Sequence, residues 1–600
     1  MDAGVRAAAP QAAGESVNKA WLRALELTGR IEKAPYRILA EVVEEQARAR
    51  PEAPALLSET GALTYRDLAR RQRRYARWAL FEGLEKGDVV ALLAHNQPDY
   101  MAAWLGLTSV GVVVALINTN LPAQALAHSL RTVAPARLIT TDELAPAAEA
   151  ALAELAERPQ LWLLGAGPGR RVEPAFAGLS AEPLTPEERR SVTVRDPALL
   201  IYTSGTTGLP KAARVSHRRV MSWSCWFAGM LDARPDDRLY DCLPMYHSVG
   251  GVVATGALLM SGGSVAIARK FSRRFWDEVV AWDCTLLQYV GELCRYLVQA
   301  PPNDNERRHR LRIACGNGLS GQVWRRFQER FAVPRIVEFY AATEGNFSLF
   351  NVEGEPGAIG RVPGFMAHRF PVALVVYDPE TGAPKRDANG RCIRCARGET
   401  GEAIGRIADA AGDPAHRFEG YTNAAETEKK VLRDVFESGD AWLRTGDLMR
   451  LDARGFFHFV DRIGETFRWK GENVSAGEVS AAIEACLGVQ TSAVYGVSVP
   501  GSEGRAGMAA IVASPEFDPA ALRADLVDAL PSYARPLFLR LVPALPLTET
   551  FKKASHRLAA EGFDPSAITD PLFFDDPAAQ AYVPLDAAVW ERIHRGEVRI

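Results

Sequence analysis

Four short runs of apolar, largely β-branched residues alternate with amphipathic stretches between residues 88 and 203. These runs read DVVALLA at 88–94, VVVALI at 112–117, ARLITT at 136–141 and ALLIYT at 198–203. Apolar runs without polar alternation are typical of strands buried on both faces. Helical stretches between them supply the crossovers that parallel strands need. The pattern predicts an α/β fold in which helices cover a parallel or mixed sheet.

The chain of 600 residues is too long for one hydrophobic core. Residues 1–34 start with an alanine- and glycine-rich stretch and are predicted to be disordered or irregular. Residues 35–461 form the predicted large α/β domain, with shorter, turn-rich strands from about 355 that indicate a β subdomain. A small α+β domain is expected over 465–600, where Ser475 and Glu478 form a capping box and Val479, Ile483 and Leu487 form an apolar stripe.

Charge and cysteine content exclude several classes of protein. The net charge is −3, which gives no basic excess for nucleic acid. Eight cysteines are too few for a disulfide scaffold. Cys392 and Cys395 form one CxxC, but no second pair or histidine stands at zinc-ligand spacing, so reduced thiols are expected.

One stretch, MAAWLGLTSVGVVVALI at 101–117, approaches the length of a membrane span. It divides into a helical part, 101–108, and a β-branched part, 112–117, which favours a helix followed by a buried strand. The N-terminus has an acidic residue at position 2 and an interrupted alanine run, unlike a signal peptide. We expect a cytoplasmic protein, with peripheral association at the inner membrane face left open.

The stretch IYTSGTTGLPK at 201–211 follows the last of the four predicted strands. Its spacing is not that of a Walker A loop. Its glycines allow backbone N–H groups to converge on an anion, its hydroxyls add donors, and Lys211 adds a positive charge. An ordinary loop has the same composition, so these residues alone leave phosphate binding and a plain turn open.

The decapeptide YTSGTTGLPK resembles the signature loop of the adenylate-forming superfamily of acyl-CoA synthetases, luciferases and adenylation domains. Further motifs of that superfamily follow in order: LPMYHSVG at 243–250, GNGLS at 316–320, EFYAATEGN at 338–346, RTGDL at 444–448, DRIGETFRWKGENVSAGEV at 461–479 and PLTETFK at 546–552. Four stretches resemble one branch of this superfamily, the very-long-chain acyl-CoA synthetase / fatty acid transport protein branch. They are FRWKGENVS, QYVGELCRYL at 288–297, PGSEGRAGMAA at 500–510 and YARPLFLRL at 533–541. The resemblance runs from about residue 35 to the C-terminus.

This resemblance implies an ATP-dependent ligase that activates a long- or very-long-chain fatty acid as acyl-AMP and transfers it to coenzyme A. It implies ATP, Mg²⁺ and coenzyme A, an AMP-binding domain over 35–461, and a mobile C-terminal lid over 465–600 joined by a hinge at 462–464. Alternatives are a fatty-acid uptake factor at the membrane and an acyl-AMP ligase that loads a carrier protein. A homodimer is left open, and no nucleic-acid partner is expected.

The resemblance also assigns nucleotide-binding roles. Thr203 and Glu344 are the implied magnesium ligands, and Asp447 the implied acceptor for the ribose hydroxyls. Tyr340 is implied to stack on adenine, and Arg462 to lie near ribose and phosphate. The residues implied to bind ATP are Thr203, Ser204, Gly205, Thr206, Thr207, Gly208, Lys211, Gly316, Asn317, Gly318, Tyr340, Ala341, Thr343, Glu344, Asp447, Arg462 and Lys552.

The implied catalytic residues are Lys552, Thr343, Glu344 and His247. Lys552 would stabilise charge on the carboxylate and α-phosphate oxygens, and its spacing from proline favours it over Lys553. His247 is assigned to orienting the substrate, because a carboxylate needs no deprotonation at neutral pH.

Three further features bear on mechanism. MSWSCWFAGM at 221–230 and QYVGELCRYL at 288–297 are candidates for an acyl tunnel, with core packing as the alternative. Gly464 stands where much of the superfamily has a charged hinge residue, and glycine tolerates unusual dihedral angles. No GxSxG follows a strand, which disfavours a serine hydrolase.

Overall fold

The computed structural model describes residues 16–204, 210–378, 381–408, 417–463, 466–470, 472–500, 502, 504–546 and 555–598. It has the predicted mixed α/β class, with a large N-terminal part built on two sheets, an antiparallel β subdomain and a smaller C-terminal α+β part. Lys552, Gly464 and the four predicted phosphate-loop residues Gly205, Thr206, Thr207 and Gly208 lie outside the described residues.

The helices share the expected amphipathic or buried character. In chain order they are α1 (Val17–Thr28), α2 (Leu39–Ala49), α3 (Tyr65–Phe81), α4 (Pro98–Ser109), α5 (Ala123–Val133), α6 (Ala145–Ala153), α7 (Val172–Ala175), α8 (His217–Met230), α9 (Ala254–Ser261), α10 (Phe275–Ala281), α11 (Gly291–Gln299), α12 (Gly321–Phe331), α13 (Ala424–Glu428), α14 (Ala476–Glu484), α15 (Pro519–Ala529), α16 (Ser555–Glu561) and α17 (Ala587–His594). A π-helix spans Val249–Val253 and a 3₁₀ helix spans Gly364–Arg369.

The strands of the large part and the β subdomain precede those of the C-terminal part. In chain order they are β1 (Pro54–Ser58), β2 (Gly61–Thr64), β3 (Val89–Leu93), β4 (Val113–Leu116), β5 (Arg137–Thr140), β6 (Gln160–Leu163), β7 (Pro197–Ser204), β8 (Pro210–Ser216), β9 (Arg238–Asp241), β10 (Ser264–Ile267), β11 (Leu286–Val290), β12 (Ile313–Asn317), β13 (Ile336–Ala341), β14 (Ser348–Asn351), β15 (Gly360–Arg361), β16 (Val372–Val375), β17 (Tyr377–Asp378), β18 (Ala383–Pro384), β19 (Thr400–Arg406), β20 (Val431–Arg433), β21 (Ala441–Leu451), β22 (Phe456–Arg462), β23 (Phe467–Trp469), β24 (Glu472–Val474), β25 (Val489–Val497), β26 (Ala506–Ala513), β27 (Phe538–Leu541), β28 (Leu572–Asp576) and β29 (Ala581–Pro584).

The first sheet confirms the four strands predicted from the apolar runs. Its order is β6-β5-β3-β4-β7-β8, and its pairs are parallel except for β7 with β8. The antiparallel β7–β8 pair places Thr203 opposite Lys211. The two ends of the predicted phosphate loop are therefore held side by side by sheet hydrogen bonds.

The second sheet has the order β14-β13-β12-β11-β9-β10-β1-β2 and is parallel from β13 through β1. Parallel strands end at the same edge, so the segments that follow β12 and β13 emerge together. In the β subdomain, antiparallel β21 and β22 pair Asp447 with Arg462. The C-terminal sheet has the order β25-β26-β27-β28-β29.

The membrane-like stretch at 101–117 is a helix and a strand, as predicted. Helix α4 ends at Ser109, and β4 runs parallel to both β3 and β7. Residues from Tyr100 to Ser109 are buried against protein. No helix within the described part of the chain is long and apolar enough to cross a membrane.

Two predictions about local structure are wrong. Residues 1–34 are not irregular throughout, because α1 occupies Val17–Thr28 and fully buries Trp21. The apolar stripe of α14 includes Val479 and Ile483, but Leu487 lies beyond the helix end and is 76% exposed. The predicted cap is confirmed, since Ser475 accepts a hydrogen bond from the backbone N–H of Glu478.

Helix α8 begins after Ser216, whose side chain accepts a hydrogen bond from the Arg219 backbone N–H. Its first residue, His217, is buried, and its Nε2 lies 3.2 Å from the Thr108 carbonyl oxygen. A carbonyl only accepts hydrogen bonds, so the neutral ring donates at Nε2. Burial lowers the pKa of His217 to about 4.

This buried histidine predicts a pH-dependent stability. The unfolded chain protonates its histidine near pH 6.5, whereas folded His217 stays neutral down to about 4. The free energy of unfolding therefore falls as the pH drops through that window, by up to about 3 kcal/mol. His217→Gln should flatten this dependence in urea unfolding at about pH 7 and about pH 4.5. The exposed control His594→Gln should retain the wild-type slope, and an unchanged slope in His217→Gln would contradict the assignment.

Candidate active site

Asp447 forms the best-defined polar cluster of the site. The Tyr340 hydroxyl donates to Asp447 Oδ2 at 2.5 Å, and Arg462 Nε lies 3.2 Å from Asp447 Oδ1. Burial, reinforced by the Asp447 charge, raises the pKa of Tyr340, so the phenol stays protonated and donates. Strand β13 thus meets the β21–β22 pair at a carboxylate that retains further capacity to accept hydrogen bonds.

Thr203 and Glu344, the two implied magnesium ligands, meet at one tyrosine. The Tyr421 hydroxyl donates to Glu344 Oε1 at 2.8 Å and lies beside the Thr203 side chain. Burial and the Glu344 charge raise the pKa of Tyr421. Tyr421 is held by a bridge to Ala213 on β8. It therefore joins the first sheet to the segment that follows β13.

A role for Tyr421 in the site was not predicted from the sequence. The only signal was a Gly-Tyr pair in a turn-rich segment, and such pairs occur in turns that have no functional role. Its importance comes from long-range packing that no local pattern reports.

Lys211 forms an ion pair with Glu426 of α13. Hydrogen bonds from Lys211 and Lys429 lower the pKa of Glu426 to about 2. The positive charge at the end of the phosphate loop is therefore already compensated by a carboxylate. A phosphate that approaches Lys211 has to compete with Glu426 for it.

The turn after β12 approaches neighbouring backbone closely. A Cβ on Gly316 would lie 2.2 Å from the Tyr289 carbonyl oxygen, and Gly318 has φ +81°. Both positions therefore require glycine. Among the residues that the structure describes, Asn317 Oδ1 is a buried acceptor with no hydrogen-bond partner. It stands at the predicted adenine site, where the exocyclic amine of the base offers a donor.

Thr343 links the predicted catalytic histidine segment to α8. Its hydroxyl lies 3.1 Å from Ser248 Oγ, directly after His247, and its carbonyl accepts from Arg219 Nη1 at 2.8 Å. Arg219 is buried and contacts Glu419 at 3.5 Å. Sequence reasoning did not single out Arg219, because a lone arginine near a helix start has no distinctive pattern.

A cavity of about 310 Å³ lies beside this segment. Gly345 and Asn346, which follow Glu344, form one side, and Arg219 lines it as well. Its apolar wall is aromatic and includes Trp223, Trp226, Phe227, Phe347, Phe350 and Phe370.

The aromatic α8 stretch is divided between the cavity and the core. Trp223, Trp226 and Phe227 line the cavity, whereas Met221 and Met230 are buried in the core. In the 288–297 stretch, residues such as Tyr289, Leu293 and Cys294 belong to a core cluster and do not line this cavity.

The fold and the site define an adenylate-forming enzyme. The model for AMP-binding enzymes matches residues 43–402, and the model for their C-terminal domain matches residues 478–552. The chain superposes on ATP-bound MatB from Rhodopseudomonas palustris with a TM-score of 0.73 at 25% identity, covering 87% of this chain and 98% of that one. The anthranilate CoA ligase AuaEII gives the same fold at 20% identity, with a TM-score of 0.73 and coverages of 88% and 97%.

Sequence relatives give a narrower placement. Long-chain fatty acid transport protein 1 of Mus musculus is 42% identical over 93% of this chain and 87% of the relative. Long-chain fatty acid transport protein 2 of Rattus norvegicus is 39% identical over 94% and 91%. The chain belongs to the AMP-binding enzyme family, in the branch of the long-chain fatty acid transport proteins, and is an ATP-dependent acyl-CoA ligase.

We expect Tyr421→Phe to weaken nucleotide binding. Without the hydroxyl, Thr203 and Glu344 lose their common partner, so their oxygens are no longer held together. The KM for ATP in pyrophosphate exchange should rise about tenfold, because one charge-assisted hydrogen bond is lost. Tyr377→Phe, outside the site, is the control. Equal KM values for the two variants would contradict the role of Tyr421.

Glu426→Gln tests the ion pair at Lys211. Removing the competing carboxylate should lower the KM for ATP about threefold at low ionic strength, a change in the range typical of ion pairs near the surface. Glu428→Gln, on the same helix but paired with Arg433, should leave the KM unchanged. A higher KM for Glu426→Gln would show that Glu426 positions Lys211 instead of competing for it.

Proposed function

We propose that this chain is a long- or very-long-chain fatty acid–CoA ligase. The observation that carries the proposal is the aromatic cavity next to Thr343 and Glu344. An engineered cavity of about 150 Å³ holds benzene, so a cavity of about 310 Å³ is large enough to bury many methylenes of an aliphatic chain. Each buried methylene adds about 0.8 kcal/mol, which favours long aliphatic acids over short ones. The names of the transport-protein relatives agree with this substrate class.

In the proposed first half-reaction, a carboxylate oxygen of the fatty acid attacks the α-phosphorus of ATP. The bond to pyrophosphate breaks, and acyl-AMP forms. Asp447 accepts hydrogen bonds from the ribose, and Asn317 Oδ1 accepts from the adenine amine. Lys211 draws in the phosphate chain, and His247 and Thr343 orient the carboxylate. Catalysis then rests on positioning and charge neutralisation, with no enzyme nucleophile.

Thr203 and Glu344 suit the proposed Mg²⁺. A hydroxyl and a carboxylate are hard oxygen donors of the kind that Mg²⁺ prefers. When bound, it would neutralise charge on the phosphate oxygens. Tyr421 holds Glu344 through its hydroxyl beside Thr203, which would pre-organise the two side chains for a shared ligand.

In the proposed second half-reaction, the coenzyme A thiolate attacks the acyl carbonyl carbon and AMP leaves. Lys552 is proposed to serve the first step only, with rotation of 465–600 about 462–464 presenting a different face for the second. Gly464→Pro should therefore impair thioester formation more than adenylation. If Gly464→Pro retained both half-reactions equally, rotation about 462–464 would be contradicted.

The proposed setting is the cytoplasm, with peripheral contact at the inner membrane face, where poorly soluble acids partition, and a homodimer as the assembly. Co-sedimentation with anionic lipid vesicles and sedimentation equilibrium test these two points. Full recovery in the supernatant would contradict membrane contact, and a monomer mass would contradict the dimer.

The decisive experiment is pyrophosphate exchange with a panel of acids from acetate to hexacosanoate, followed by product analysis with and without coenzyme A. Palmitate or longer acids should support exchange and give a thioester. Thioester formed only on an added carrier protein would favour the carrier-loading alternative. Lys552→Ala should abolish exchange, with Lys553→Ala as its matched control, and full lipid uptake by Lys552→Ala cells would favour the uptake-factor alternative.

A further inference from the structure

We propose that α1, which lies N-terminal to the matched family model, is the far wall of the acyl pocket and sets the longest chain accepted. This inference rests on the proposed function, because it takes the cavity to be the acyl site. The family match begins at residue 43, whereas α1 spans Val17–Thr28.

Helix α1 is fixed to α8 by close backbone contact. A Cβ on Gly229 would lie 2.5 Å from Ala24 Cα, so the two helices approach as closely as a glycine allows. Arg23 Nε donates to the Gly229 carbonyl at 3.1 Å. Ala20 and Ala24 are buried in the same interface. This contact makes α1 a rigid wall.

Trp21 supports the aromatic end of the cavity from behind. Its ring makes edge-on contacts with Trp226, Phe350 and Phe370 at centroid separations of 5.4–5.9 Å. These three residues line the cavity, whereas Trp21 itself is fully buried and does not. The position of the aromatic wall therefore depends on α1.

One side of α1 lines the cavity directly. Leu25, Thr28 and Gly29 are three and four residues apart, so they lie on one helix face. Ile31 and Glu32 continue this wall, and Glu32 Oε1 accepts from Arg218 Nε at 2.6 Å. The segment is thereby tied to the start of α8 as well as to its end.

The cavity has two chemically different ends. Arg219 lies beside the Thr343 carbonyl, where the carboxylate of a substrate must react. Arg218 is paired with Glu32 at the α1 wall, so the arginine placed to meet an anionic head group is Arg219. Trp226, Phe350 and Phe370 are at the α1 end. An aliphatic acid with its carboxylate at Thr343 would extend its tail toward α1.

Leu25→Trp tests whether α1 limits the chain length, because the larger side chain would occupy part of the cavity beside α1. Each buried methylene is worth about fourfold in affinity, so loss of two or three positions should lower kcat/KM for palmitate and arachidate more than tenfold. The effect should appear mainly in KM, and octanoate should change less than about twofold. Leu22→Trp is the matched control, because it makes the same change on the same helix at a side chain that is 55% exposed and does not line the cavity.

Ser222→Trp, which fills the cavity from α8, separates the possible failures. If Ser222→Trp shifts chain-length preference and Leu25→Trp does not, the cavity is the acyl site but α1 does not set the longest chain accepted. If neither variant shifts it while wild type activates palmitate, the cavity is not the acyl site. If wild type activates no fatty acid, the proposed function itself fails. Should Leu25→Trp not fold, Leu25→Phe should show a smaller shift of the same sign, and no shift would overturn the proposal.

Discussion

The Tyr421 hydroxyl is the contact on which the rest of the site depends. Thr203 belongs to the first sheet, Glu344 follows the second, and the two approach each other through one phenol. A buried hydroxyl that donates to a carboxylate is worth more than a neutral hydrogen bond and costs more to leave unmade. Through this contact, the start of the phosphate loop and the Glu344 segment share one side-chain partner.

A second set of contacts extends the same arrangement. Arg219 donates to the Thr343 carbonyl, and Glu419 accepts from the Ser216 backbone and side chain at 2.7 Å. The segment that carries Glu419 and Tyr421 therefore lies against the start of α8 as well as against β8. The cap of α8, the Thr343 segment and the cavity wall are parts of one connected unit. A substitution in the segment that carries Glu419 and Tyr421 should therefore affect binding at both the proposed nucleotide site and the proposed acyl site.

The sequence predicted the parts of the fold that local chemistry determines. Strands β3, β4, β5 and β7 follow from apolar β-branched runs, and α8 starts at a residue able to cap it. Asp447 and Arg462 follow from family motifs, and antiparallel pairing explains why they meet. Helix α1 was missed because its buried Trp21 gains its environment from α8, β14 and the segment at Phe370, which are distant in the sequence. Tyr421 and Arg219 were missed for the same reason, since each acts through partners more than seventy residues away.

We propose that one cleft holds the nucleotide between Lys211 and Asp447 and the acyl chain between α8 and α1. A crystal structure with a non-hydrolysable palmitoyl-adenylate analogue tests this most directly. We expect the ribose hydroxyls to hydrogen-bond Asp447, the phosphate to lie near Thr203 and Lys211, and the alkyl tail to contact Trp223 and Leu25. An adenylate bound away from Asp447, or a tail that leaves the cavity beside α1 empty, would contradict it.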